Sequence, residues 1–198
     1  MKVPRSIIEF IGRMKIHRHP PWFIYRPNEH KVRGSSVFEV MKTVQFGDPI
    51  LRRFDGYLST IIPEYLSKGG GFWSHAGMYV GMNCVVHFLG NGCKKETIID
   101  FCRADAISVL QILDDSEEFR AERVCRADEA AAKNIGYDFG FQSGNRLFYC
   151  SEGVDMFCDG IFAADYEIIR GNRIITPTGM FRSNKVKPRI SINYNPKK

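Results

Sequence analysis

The chain has 198 residues, 44% of them hydrophobic and 13% aromatic, which suits one domain with a substantial core. No apolar run reaches the roughly 18–20 residues of a membrane span. The apolar stretch that follows the basic start is interrupted by Glu9, Arg13 and Lys15, so neither a transmembrane segment nor a signal peptide is expected, and the expected location is the cytoplasm.

In chain order, residues 6–16 put Ile7, Ile8, Ile11 and Met14 on one stripe and predict a short amphipathic helix, stopped by His17-Arg18-His19-Pro20-Pro21. Residues 20–35 read as a crossing loop, Gly47-Asp48 as a turn into a short strand, 56–67 as helical, and Gly69-Gly70-Gly71 as a hinge. Residues 74–89 predict a hairpin around Gly81-Met82-Asn83. Strands are expected at 97–102 and 107–113, and a short helix capped by Asp128 through Ile135. A helix is expected from Cys150 to Ala164, with Val154, Phe157, Cys158 and Ile161 on one stripe; a strand is expected within 168–181, then a mobile tail. The mix predicts an α+β domain with an antiparallel sheet.

Charge divides the chain. Residues 1–35 carry eight Lys/Arg and two acids, residues 182–198 six Lys/Arg and no acid, and residues 36–181 carry 14 Lys/Arg against 20 acids. This predicts a basic extension (1–35), an acidic body (36–181) and a basic tail (182–198). The basic ends either dock on the acidic body or suit an anionic partner such as lipid headgroups or cell-wall polymer. Trp22, Phe23 and Tyr25 among basic residues read as pins for the N-terminal segment, so a nucleic-acid partner is not expected.

Six cysteines in a chain without an export signal read as free thiols, five of them as small core residues. The sixth, Cys150, stands where a helical pattern begins. Unpaired N–H groups and partial positive charge at a helix N-terminus favour a thiolate and can hold an oxyanion. A nearby imidazole would take the thiol proton and leave a thiolate–imidazolium pair. His75 and His87 are candidates. They share a sheet face if the hairpin loop has an odd length, so a three-residue loop is predicted, with His87 opposite Gly77 and the small glycine making room for its ring. Cys84, His87, Cys93 and Cys102 match no common zinc spacing, and no phosphate-binding glycine loop is visible, so neither a metal nor a cofactor is expected.

Five segments, in order, carry a family resemblance: Gly47-Asp48-Pro49-Ile50-Leu51, Ser74-His75-Ala76-Gly77-Met78-Tyr79-Val80-Gly81, Val85-Val86-His87, Tyr137-Asp138-Phe139-Gly140-Phe141 and Phe148-Tyr149-Cys150-Ser151-Glu152. Over about residues 45–165 the chain resembles the permuted branch of the NlpC/P60 papain-like superfamily, the YiiX-type and lecithin:retinol-acyltransferase-like group. The resemblance implies a helix headed by the nucleophile Cys150 and packed on a small antiparallel sheet, with His75 as base and His87 as orienting residue. YiiX-type members often carry glutamate at the position of His87, which leaves amide and acyl-ester substrates both open. The expected function is a cysteine peptidase or amidase acting through an acyl-thioester on a peptide or cell-wall fragment. The alternatives are an acyl-ester or lipid hydrolase or acyltransferase, and a non-enzymatic binding protein. Asp48 is expected to cap a turn, and Tyr79 and Tyr149 to line or support the site.

Overall fold

The computed structural model describes residues 14–16, 23–25, 30–54, 71–138, 146–169 and 172–194, the first two as backbone. Its centre is a six-stranded antiparallel sheet of β3 (Pro49–Arg53), β4 (His75–Gly81), β5 (Cys84–Leu89), β6 (Gly92–Thr97), β7 (Ala106–Ile112) and β10 (Val186–Ile192), in the order β10-β7-β3-β4-β5-β6. Two small hairpins lie outside it: β1 (Met14–Ile16) with β2 (Phe23–Tyr25), and β8 (Tyr166–Ile169) with β9 (Asn172–Ile175). The helices are α1 (Gly34–Thr43), α2 (Ile98–Phe101), α3 (Glu117–Ala132), α4 (Cys150–Phe157) and α5 (Pro177–Arg182).

Both faces of the sheet are covered, so its central strands are apolar on both sides. Ile50, Val85, Ile107 and Val109 point to one face and meet Val40 and Val44 of the α1 region and Ile98 and Phe101 of α2. Their neighbours Leu51, Val86 and Leu110 point to the other face, against Val124 and Ala127 of α3 and Val154 and Phe157 of α4. Gly153 makes the α4 contact possible. The Phe88 ring of β5 occupies the space a side chain at position 153 would need, so the helix approaches the sheet only through a glycine.

Several local expectations are corrected. Residues 14–16 are a strand rather than the end of a helix, and 23–25 are a strand within the expected loop. Residues 6–13, the helix at 56–67, and Gly69-Gly70 lie outside the described residues. The strand expected at 97–102 is the short helix α2, because the Thr97 hydroxyl accepts the Asp100 N–H and caps it. Asp128 caps nothing. It lies within α3, whose cap is Ser116, followed by Glu117 and Glu118 in the first turn where the helix dipole favours acids. The α4 helix stops at Phe157, seven residues short of Ala164, where Asp159 and Gly160 take positive φ. The expected C-terminal tail is also corrected: residues 186–192 form edge strand β10 on β7, and Arg189 bonds Asp48 across 2.7 Å. The basic side chains there concealed four successive half-buried positions, Arg189 to Ile192.

The hairpin corrects the means but keeps the consequence. Its loop has two residues, Met82 and Asn83, with φ of 49° and 58°, flanked by the Gly81–Cys84 pair. A register shift between Tyr79 and Gly81 inserts the odd residue instead. Beyond it Met78 faces Val86, so continuing the register sets Gly77 against His87. A Cβ at Gly77 would stand 2.8 Å from Val85 and 2.9 Å from the Phe101 ring, so these groups, nearer than any atom of His87, are the first to fill the room the glycine leaves.

Candidate active site

Four strands bring polar groups to the α2 side of the sheet. Arg52 of β3 pairs with His75, the first residue of β4. His87 lies centrally on β5 with its side chain wholly buried. Its Nδ1 stands 2.8 Å from His75 Nε2, and the rings meet nearly edge-on at 82°. Glu96 of β6 completes the row: its Oε1 lies 3.3 Å from His87 Nε2 and 3.1 Å from an Arg52 terminal nitrogen. That nitrogen also donates to the Phe101 carbonyl at 3.2 Å, and the guanidinium lies 4.4 Å over the Phe101 ring.

Cys150 arrives from α4 on the other face. The β4–β5 ladder stops at Met78–Val86, so Ala76 has no strand partner there. Its backbone N–H donates to the Cys150 sulfur, as does the N–H of Ser151. The thiol is thereby held one residue along the backbone from His75. The Ser151 hydroxyl, which also faces the thiol as a hydrogen-bond partner, donates to the Ile175 carbonyl at 2.7 Å, while the Tyr149 hydroxyl accepts the Ile175 N–H at 2.9 Å. These two bonds fasten the start of α4 to the end of β9. Glu152, at the third helical position, accepts the Tyr149 N–H and supplies half of a capping box.

Burial controls the charges. It raises the Cys150 thiol, against the Ala76 N–H, the Ser151 hydroxyl and N–H, and the Arg52 charge. It pushes His75 well below the usual imidazole value, and the charges of Arg52 and His87 act in the same direction. Burial thus disfavours both charges of the expected thiolate–imidazolium pair. Burial lowers His87 too, against the bond to Glu96. For Glu96 burial works upward, but the bond and charge of His87 and the Arg52 guanidinium outweigh it and hold the carboxylate ionised.

The other thiols differ. Cys93, Cys102 and Cys158 are buried and pushed to about 12. Cys84 is half-buried and Cys125 exposed, so three rather than five of them are core residues. Among the described residues no group of three or more His, Cys, Asp or Glu is arranged to hold a metal, and no helix is long and apolar enough to cross a membrane.

Residues 43–190, about three quarters of the chain, match the family described as permuted papain-like amidase enzyme, YaeF/YiiX, C92 family. The chain belongs to this family. Comparison with curated proteins gave no match. The family agrees with the mixed α+β architecture and its mainly antiparallel sheet. In this member of the permuted papain-like family, Asp48 accepts the Gln45 N–H at 2.8 Å and so caps the turn before β3, as expected, besides binding Arg189.

The sequence reading missed Arg52, Glu96 and Phe101. Arg52 had a signal, since it continues the apolar run Pro49-Ile50-Leu51 into a buried strand where a charge needs a partner. Glu96 had none, because Lys94-Lys95-Glu96-Thr97 reads as a solvated edge.

Glu152 offers a test of the buried helix start. Burial, with Asp138 and Asp155 nearby, raises it to about 7 from an ordinary 4.5, against the Tyr149 N–H bond. A carboxyl raised on folding binds its proton more tightly in the native state, so stability falls as pH climbs from about 4.5 to 7. Glu152→Gln keeps the acceptor for Tyr149 and removes the charge. Its melting temperature is expected to exceed the parent's at pH 8 and to match it near pH 4.5; an equal difference at both pH values would refute this account.

Proposed function

We propose that this protein is a cysteine amidase in which Cys150 is the nucleophile, His75 the general base and acid, and His87 the residue that orients His75. The observations that carry this reading are the 2.8 Å bond from His75 Nε2 to His87 Nδ1 and a helix-heading thiol held on the N–H of Ala76, the residue that follows His75. With Nε2 committed to His87, Nδ1 is the ring nitrogen left for the thiol proton. The sulfur attacks the substrate carbonyl as Nδ1 takes that proton, and the oxyanion is held by backbone N–H groups at the start of α4, that of Cys150 among them. Collapse breaks the C–N bond, and His75 returns the proton to the departing amine. Water, deprotonated by His75, then cleaves the thioester and restores the thiol. The substrate is an amide in a peptide or cell-wall fragment, the class that fits the amidase family.

Three thiol-directed acylating probes of equal reactivity, carrying a peptide, a cell-wall fragment or a fatty-acyl chain, test the assignment. The peptide or cell-wall probe is expected to label Cys150 selectively and to lose that selectivity in His75→Ala. Labelling by the fatty-acyl probe alone would replace the amide substrate with an acyl ester. No selective labelling by any probe on folded protein would favour a binding protein.

A further inference from the structure

His75 Nε2 and His87 Nδ1 share one proton across 2.8 Å, and which ring carries it decides whether His75 can act as a base. If His87 donates from Nδ1, its Nε2 holds a lone pair, and a neutral His75 must carry its own proton on Nδ1. The nitrogen left for the thiol is then a donor and cannot accept. If His87 carries its proton on Nε2, its Nδ1 accepts from His75 Nε2–H, and the His75 lone pair stands at Nδ1.

The structure distinguishes these states through what lies behind His87. Its Nε2 is buried, and the Glu96 carboxylate 3.3 Å away lies off the line of an ideal hydrogen bond. Among the described residues no other acceptor meets that nitrogen. A lone pair there would face a carboxylate in a dry site, whereas an N–H would be drawn to it. Arg52 holds Glu96 from the opposite side at 3.1 Å and is itself fixed by the Phe101 carbonyl and ring. Among the described residues, the charged groups that act on the imidazole pair are Arg52 from β3 and Glu96 from β6, while Cys102 at the end of α2 and Cys150 from α4 face Arg52.

We propose that Glu96, clamped by Arg52, is a positioning residue that sets the tautomers of both histidines and so presents the lone pair of His75 at Nδ1. This rests on the Cys150–His75 reading above and adds a fourth, buried partner behind the imidazole pair. Glu96 touches no reacting atom; it acts through two rings in series.

Nitrogen-15 spectra of histidine-labelled parent protein near neutral pH test it without substitution. His75 and His87 are each expected to be protonated at Nε2 and bare at Nδ1; His87 protonated at Nδ1 would overturn the proposal. The functional arm is the rate of Cys150 acylation by p-nitrophenyl acetate. Glu96→Gln, whose amide can donate to His87 Nε2, is expected to move the His87 proton to Nδ1 and slow acylation roughly 10²-fold. Formate should restore about tenfold of the loss in Glu96→Ala, which a purely structural defect would not allow. Unchanged tautomers and rate in Glu96→Gln, with His75→Ala inactive, would overturn the Glu96 role and leave the Cys–His reading standing. Full acylation in His75→Ala would overturn that reading itself.

Discussion

Cys150→Ala is expected to abolish the burst of nitrophenolate released when p-nitrophenyl acetate acylates the protein, lowering the rate by roughly 10⁴-fold or more toward background. Acetyl transfer to the peptide containing residue 150 should disappear with it. The thiol is small and 7% exposed, and its helix is fastened by Tyr149, Ser151 and Glu152, so the fold should survive the change. The parent's pH profile carries a second part of this expectation. Burial and the Arg52 charge keep His75 well below 6.5, so the ring remains an unprotonated base throughout the range where an ordinary imidazole titrates. The acylation rate should therefore stay level from about pH 8 to pH 6 and decline only below that. A burst that persists in Cys150→Ala would remove the nucleophile from the proposal. A rate that halves near pH 6.5 would show that the base is not the dry His75.

Asp115→Ala is expected to have the largest effect on stability. Asp115 binds Arg123 and Arg120 together, and Arg123 is almost wholly buried. Removing the carboxylate leaves a buried guanidinium without its counter-charge, at a cost of about 3–5 kcal/mol. For a chain of this size that corresponds to a fall of roughly 10 °C in melting temperature. The consequence reaches the site. Arg120 also bonds Gln45, in the turn that Asp48 and Arg189 hold before β3, the strand that carries Arg52. A thermal melt of folded protein measures the loss, and a shift under about 2 °C would show that this cluster does not fasten α3 to the sheet.

The residues of the candidate site differ in how far the sequence exposed them. Cys150 was legible because a helical stripe begins at it and a Tyr-Cys-Ser-Glu motif surrounds it. His75 and His87 were legible as a pair because side chains alternate along a strand. The parity came out right although the loop length was wrong, since one extra residue on β4 has the same effect in the loop as in the ladder. Short helices were less legible. A single hydroxyl cap at Thr97 turned an apparent strand into α2, and that turn delivers Phe101 beneath Arg52. The basic C-terminal residues read as a tail because charge alone does not reveal that a strand edge is half-covered.

Chain order and residue type were enough to nominate a helix-heading thiol and two imidazoles on one sheet face, because both periodicities are local properties of the backbone. The packed chain decided the rest. It opened the β4–β5 ladder so that the sulfur from the opposite helix layer reaches the Ala76 N–H, and it set Glu96 and Arg52 behind His87. It also removed enough water to disfavour charge on the thiol and the imidazole. Those features depend on contacts between β3, β4, β5, β6 and α4, and on the desolvation those contacts create, and neither quantity is carried by any single segment.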